Sequence, residues 1–177
     1  MATHEIILAG FGGQGILFSG KFLAYDGLLE DKEVSWLPSY GPEMRGGTAN
    51  CSVILSDDPV GSPIVATPDV LVAMNLPSLD KFEATAVPGA KIFVDSSLVE
   101  RKVERDDVEV YYIPATKLAS DENLPGLANM IMIGHVIAKA GVMPYENVES
   151  TMKKLVPAKK QNLIELNIKA VELGYNY

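Results

Sequence analysis

Two short stretches of this chain carry residue types that could do chemistry. The first is Gly10-Phe11-Gly12-Gly13-Gln14-Gly15, between the apolar runs Ile6-Ile7-Leu8-Ala9 and Ile16-Leu17-Phe18. Glycines there can take positive φ and let the backbone come close to a ligand or a neighbouring element. A helix starting after them would aim its free N–H groups and positive dipole end at the turn. A phosphate or carboxylate is well held in such a place. The second stretch is Tyr40-Gly41-Pro42-Glu43-Met44-Arg45-Gly46-Gly47, with two opposite charges between a Gly-Pro turn and a Gly-Gly pair. Arg45 has the fork geometry to grip a phosphate or carboxylate. The competing reading is an exposed or interface ion pair between Glu43 and Arg45, which contributes little.

Familiar labels fit these residues poorly. Gly10-x-Gly12-x-x-Gly15 matches the dinucleotide fingerprint, but that fold needs an acid at the end of the second strand for the ribose. Here Glu30, Asp31 and Glu33 come before that strand, which ends Leu37-Pro38-Ser39-Tyr40. NAD is therefore disfavoured, and a plain strand–helix junction stays open as a reading. Gly15 to Gly20-Lys21-Phe22 spells most of a P-loop, yet Phe22 stands where Ser or Thr must meet magnesium. Cys51, alone of its kind, reads as a buried, inert thiol in a strand. His4 and His135 are too few for a catalytic triad or a His-rich metal site. Asn75 and Asp95 end strands where open sheets place ligands, and helix capping explains them as well. Met130 and Met132 read as core filler. No catalytic residue and no metal-ligand set emerges.

The elements that must position these residues follow from periodicity. Residues 4–9 predict a strand and 16–29 a helix, with Phe18, Phe22, Tyr25 and Leu29 on one face. Residues 34–38 and 50–56 predict strands two and three, joined too briefly for a crossover helix and so antiparallel. Continuous apolar runs at 69–74 and 91–95 predict strands covered on both faces, with a short helix over 76–84 between them. A charged, hairpin-like region is expected around 100–107, then a last strand over 108–113. Helices follow at 115–120 and 124–140, the latter with Pro125 early and Gly141 just past its end. Tyr145, Val148, Met152 and Leu155 mark another. The last carries Leu163, Leu166, Ala170 and Leu173 on one face, with Gly174 as its C′ residue. The expected fold is a three-layer α/β/α domain over residues 1–177, with a mostly parallel sheet, one local antiparallel pair and a helical C-terminal half.

Composition narrows the partners. The 177 residues are 47% hydrophobic and 21% charged, ordinary for a single globular domain. A net charge of −8 argues against nucleic acid or an anionic membrane as partner. A single cysteine rules out a disulfide framework or an iron–sulfur site built from this chain alone. No basic n-region precedes the first apolar run, and no segment reaches membrane-span length. A cytoplasmic location is expected.

Three strings converge on a family. Gly10-Phe-Gly-Gly-Gln-Gly15, Ser39-Tyr-Gly-Pro-Glu-Met-Arg-Gly-Gly-Thr48 and Asn167-Ile-Lys-Ala-Val-Glu-Leu-Gly174 resemble the gamma subunit of 2-oxoacid:ferredoxin oxidoreductases, of the pyruvate, 2-oxoglutarate and ketoisovalerate types. The resemblance spans essentially the whole chain. It implies a cytoplasmic, heteromeric complex that oxidatively decarboxylates a 2-oxoacid to an acyl-CoA and reduces ferredoxin. It also implies thiamine diphosphate and iron–sulfur clusters on partner chains: alpha and beta subunits and, where the complex has one, a delta subunit. Asp26-Gly27, preceded by Tyr25 in a predicted helix, is no thiamine signature. Coenzyme A is the ligand this chain is expected to help bind. Gly10, Gly12, Gly13, Gln14 and Gly15, with Tyr40, Gly41, Glu43, Arg45, Gly46 and Gly47, would form the CoA-facing or subunit-facing edge. A purely architectural subunit is the alternative. The compact, unfused chain leans toward 2-oxoglutarate.

Overall fold

The computed structural model describes residues 2–39 and 48–177. Among these residues six strands form one mixed sheet, in the order β2-β3-β1-β4-β5-β6. The strands are β1 (Thr3–Phe11), β2 (Glu33–Ser39), β3 (Thr48–Ser56), β4 (Val70–Ala73), β5 (Lys91–Asp95) and β6 (Glu109–Ile113). The helices are α1 (Ile16–Leu29), α2 (Leu76–Phe82), α3 (Ala115–Asp121), α4 (Ala128–Ala140), α5 (Val148–Leu155) and α6 (Gln161–Tyr175).

The expected pairing of β2 with β3 is present, with Trp36 opposite Val53. A second antiparallel ladder was not expected: β3 also pairs with β1, Ile6 lying opposite Val53. The parallel ladders run β1–β4, β4–β5 and β5–β6. The hairpin thus returns between β1 and β2, so that β3 is buried on both edges. Its continuous buried run from Val53 to Ser56 reflects that central place.

Each face of the sheet has its own apolar cluster. Ile6, Leu8, Val53 and Phe93 pack under α1, α3, α4, α5 and α6, joining Phe22, Ile131, Val136, Met152 and Val171. Ile7, Ala9, Leu71, Ile92 and Val94 pack on the other side against Leu79 of α2 and Val99. The layers are unequal, because α2 is the one α-helix of the described residues on that second face.

The expected hairpin around residues 100–107 is instead an extended strap over this face, without strand pairing. Val99, Val103 and Val108 turn toward the second cluster, and ion pairs pin the strap to the end of α2. Glu83 accepts from Arg101 Nη2 at 2.9 Å and from the Glu104 backbone N–H at 2.6 Å. Arg105 Nη1 donates to the carbonyls of Glu83 and Ala86. The Glu83 side chain is only 11% exposed, whereas Asp80, also paired to Arg101, is 57% exposed. Glu83→Gln is therefore expected to lower the unfolding free energy by about 1–2 kcal/mol in urea titration. Asp80→Asn should cost less than about 0.5 kcal/mol. Equal losses for the two variants would contradict the clasp.

Two helices bury faces that only partly match those the apolar periodicity predicts. In α1 the buried residues are Ile16, Ser19, Gly20, Phe22, Leu23, Ala24, Asp26 and Gly27; Phe22 of the predicted face is among them, while Tyr25 and Leu29 are exposed. In α6 they are Ile164, Asn167, Ala170, Val171 and Gly174, while Leu163 and Leu166 are exposed. Gly174 lies inside α6 rather than after it. Close helix packing selects small residues there, and hydropathy does not register them. α4 starts at Ala128, later than Pro125 suggests, and ends on Gly141 in the left-handed conformation (φ 62°), as expected.

Candidate functional site

The connections after β1 and β4 leave on opposite faces: α1 packs into the first cluster and α2 into the second. That makes the carboxyl end of the β1–β4 pair a topological switch point, the usual place for a ligand in an open α/β sheet. Residues 10–15 occupy this position. Gly10 ends inside β1, opposite Ala49. A Cβ on Gly10 would fall 2.5 Å from Gln14 Oε1 and 2.8 Å from Ile16 Cδ1, so the position serves packing. Gly13 (φ 94°) and Gly15 (φ 73°) adopt left-handed backbone, which L side chains rarely tolerate.

Gln14 is a brace. Its Oε1 accepts from the Phe11 N–H at 2.6 Å and its Nε2 donates to the Met74 carbonyl at 3.3 Å. The side chain thus ties the turn to the end of β4, and its oxygen is already engaged. Gly15 caps α1 with no side-chain hydrogen bond. The N–H groups of Ile16, Leu17 and Phe18 have no partner among the described residues. Three free amides at the start of a 14-residue helix make an anion-compatible end.

The other half of the expected edge, Tyr40, Gly41, Glu43, Arg45, Gly46 and Gly47, lies outside the described residues. Its flanks are placed: Ser39 is opposite Asn50, and Thr48 is opposite Phe11. Ser39 and Thr48 thus sit at the end of the sheet that carries the glycine turn.

Two clefts flank the turn. One, of about 320 Å³, runs along Phe11, Gly12, Gly13, Ile16 and Phe18 to Ala49, beside Thr48. The other, of about 370 Å³, lies between Gly13 and Gln14 on one side and Leu98, Thr116, Ser120 and Gly126 on the other. No residue lining either cleft is titratable, so their described walls offer binding without acid–base groups.

Sequence reasoning missed the far wall, and it missed Asn129. This buried α4 residue donates from Nδ2 to the Gly15 carbonyl and to Ser19 Oγ, each at 3.1 Å. A Cβ on Gly15 would meet the same nitrogen at 2.5 Å. A lone amide at the start of an apolar helix was the available signal.

The remaining candidates take structural roles. Asn75 caps α2, accepting from the Ser78 N–H at 2.9 Å. Asp95 accepts from the Ser97 N–H and from both the N–H and hydroxyl of Thr116, at 2.6 Å for the hydroxyl. Burial pushes the Cys51 thiol up to about 12, which leaves it protonated and unreactive. His135 packs edge-on to Phe93, Tyr111 and Tyr177 and bonds the Gly174 carbonyl through Nδ1 at 3.2 Å. Burial lowers its pKa, so the ring is neutral with its proton on Nδ1. Among the described residues no three His, Cys, Asp or Glu side chains gather as a metal site. With its single thiol buried, the donor set does not fit an iron–sulfur cluster. No helix of the described residues is long and apolar enough to cross a membrane.

Residues 5–177 match the family described as pyruvate ferredoxin/flavodoxin oxidoreductase. The chain belongs to that family. Within it, 2-oxoglutarate synthase subunit KorC of Methanocaldococcus jannaschii is 38% identical over 174 residues, covering 97% of this chain and 91% of that one. Ketoisovalerate oxidoreductase subunit VorA of Methanothermobacter thermautotrophicus is 39% identical over 170 residues. That alignment takes in 96% of this chain but 35% of the relative, so the chain spans about a third of that protein's length. The crystal structure of a keto/oxoacid ferredoxin oxidoreductase gamma subunit from Geobacter sulfurreducens superposes with a TM-score of 0.85. It shares 30% identity, and the match covers 99% of this chain and 96% of that one. The fold alone is shared with 2-oxoglutarate:ferredoxin oxidoreductase from Magnetococcus marinus, solved with 2-oxoglutarate, coenzyme A and succinyl-CoA bound. There the TM-score is 0.80 at 22% identity, over 99% of this chain and 31% of that one.

Proposed function

We propose that this chain is the gamma subunit of a cytoplasmic 2-oxoacid:ferredoxin oxidoreductase and supplies the CoA-facing edge of the complex. The observation that carries the CoA reading is the start of α1. Three unpartnered amides follow a left-handed glycine at the switch point of the sheet, between two clefts. That arrangement takes a phosphate without any catalytic side chain. Family membership makes the phosphate ligand of an acyl-forming oxidoreductase a coenzyme A. Thiamine diphosphate and iron–sulfur clusters, on alpha, beta and where present delta subunits, supply the decarboxylation and electron transfer to ferredoxin. This chain's part is to orient CoA. The relatives' names favour a 2-oxoacid with 2-oxoglutarate among the candidates, as KorC is named for it and VorA for ketoisovalerate.

Titrating the assembled complex with CoA tests this. Arg45→Ala removes the one cation of the second motif, and Gly12→Val crowds the cleft beside α1. Each is expected to weaken CoA about tenfold or more while leaving the 2-oxoacid KM unchanged. Wild-type CoA affinity in both intact variants would overturn the reading.

One observation favours a purely architectural role: Phe11, Leu76 and Leu98, each about 40% exposed, give the same edge an apolar rim. Under that reading the two variants lower co-purification of the partner subunits, and the complex that does form binds CoA normally.

A further inference from the structure

The corner between α5 and α6 reverses the sign of the molecule. In a chain of net charge −8, residues 150–164 hold four lysines and no acid. Lys153 and Lys154 stand in the last turn of α5, and Lys159 and Lys160 in the short 3-10 turn before α6. The connection is tight. Val156 is buried and its N–H bonds the Met152 carbonyl at 2.9 Å, while the Lys160 N–H bonds the Pro157 carbonyl at 2.8 Å. Lys153 pairs with Glu149 at 2.7 Å. Lys154, Lys159 and Lys160 are exposed and make no ion pair among the described residues. Like charges so close repel one another, so the cluster adds nothing to folding. Beside it stand two leucines that periodicity assigns to the buried face of α6. Leu163 and Leu166 are 39% and 37% exposed, three residues apart on the first turns of that helix. A lysine rim beside a small apolar pair is thus left over from the packing of the chain itself.

We propose that the α5–α6 corner is a docking patch for a small acidic protein, whose carboxylates meet the lysines while an apolar contact meets Leu163 and Leu166. Charge complementarity selects this partner. Lysine is a hydrated point charge, suited to carboxylates on a moving surface more than to bidentate capture of a phosphate. These lysines line neither cleft beside the glycine turn, and the inference is independent of the CoA reading. The rest of the chain is acidic, so a polyanion or an anionic bilayer extending past the corner is repelled. A small protein touches the corner alone. The charged rim speeds encounter, and the leucine pair supplies the short-range hold. The core of a permanent subunit interface is depleted in lysine, so this patch fits contact that forms and breaks quickly.

Binding kinetics of the assembled complex test the patch. The probe is an acidic ferredoxin, a carrier named in the family's description, and both rate constants are read over a range of salt. The triple variant Lys154→Gln, Lys159→Gln and Lys160→Gln is expected to slow association about tenfold or more at low salt. At about 1 M salt, where charges are screened beyond about 3 Å, it should match wild type. Arginine at the same three positions keeps the charge and should restore the wild-type rate. Leu163→Gln should instead speed dissociation several-fold and leave the salt dependence intact. Wild-type association of the glutamine triple variant at low salt overturns the patch. Loss of partner subunits from that variant also overturns it, since the corner is then a permanent interface. Phosphatidylglycerol vesicles are the second probe, and vesicle binding that is tighter than ferredoxin binding and lost in the triple variant overturns it in favour of a membrane. The CoA titrations of Arg45→Ala and Gly12→Val do not involve these lysines, so the CoA reading is judged separately.

Discussion

Gly134→Ala is expected to destabilise the chain by more than about 4 kcal/mol, or to prevent folding altogether. α4 and α6 cross at Gly134 and Gly174 with no room for a methyl group on either. A Cβ at position 134 would be driven into the Val171 carbonyl oxygen and would lie 2.8 Å from the Tyr175 nitrogen. A Cβ at position 174 would strike the Ile131 carbonyl and lie 3.1 Å from the His135 nitrogen. The obstructing atoms are helix backbone, so no side chain can swing aside. The helices must separate instead, and their buried partners Ile131, Val136, Ala170 and Val171 lose contact together. Gly174→Ala should behave alike. Gly141→Ala is the control: it has positive φ but open space around it, and should cost only about 1 kcal/mol. Urea denaturation of the three variants decides the matter. A loss at Gly134 no greater than that at Gly141 would refute the crossing argument.

Asp26→Asn is expected to stabilise the chain, and only above acidic pH. Asp26 is 1% exposed, in α1 against α5, where the Thr151 hydroxyl reaches its Oδ1 at 3.5 Å. Burial raises its pKa from 3.8 to about 6; the neighbouring Glu30 adds to the rise, while hydrogen bonds from Asn147 and Thr151 and the charge of Lys32 oppose it. The unfolded chain releases this proton near 3.8 and the folded chain only near 6. Between those values the folded state binds more protons, so stability falls as pH rises. The contribution is greatest below the unfolded pKa and is fully lost above the folded one. The shift corresponds to a penalty on the order of 3 kcal/mol at neutral pH. Asparagine keeps the shape and an acceptor without the charge. At pH 8 the variant should exceed wild type by about 2 kcal/mol, with no gain at pH 3.5. A gain of the same size at both pH values would show that charge burial is not the cause.

The strand–glycine–helix opening and the β2–β3 pair could be read from sequence because their signals are local. Alternating or continuous apolar runs end at glycines and prolines, and too few residues join 38 to 50 for a crossover. What failed was long-range. The insertion of β3 beside β1 leaves no mark in either strand alone. The α1 and α6 faces were read only in part: Phe22 and Ala170 are buried as expected, but Ser19, Gly20, Gly27, Asn167 and Gly174, selected for close approach rather than for hydropathy, turned the buried stripes away from Tyr25, Leu29, Leu163 and Leu166. The strap over the second face resembled a hairpin because its charges, Arg101 and Arg105, suggested solvent when they in fact clasp Glu83 and its neighbours. At the candidate site the turn was identified, but not the wall facing it. Leu98 from the loop after β5, Thr116 and Ser120 from α3, Gly126 from the α3–α4 connection and Asn129 from α4 are far apart in the chain, and none belongs to a recognisable motif. Gln14 was grouped with ligand-facing residues, and its hydrogen bonds to Phe11 and Met74 make it a brace.

The unequal layers bear on the order in which the protein is made. Ile6 and Leu8 are synthesised well before Ile131, Val136, Ala170 and Val171, yet end in the same cluster. During synthesis α1 is the first helix available to that side of β1, and its cover is completed only when α4 and α6 have emerged. The opposite side, with Ile7 and Ala9, is covered by Leu71, Leu79 and Val99, all made before α4 begins. A nascent chain therefore carries a partly covered strand until α6 has been made, a state exposed to mispairing and to chaperone capture. Closure by such distant segments is slow relative to local hairpin formation. β1 is made before the helices that finish covering it.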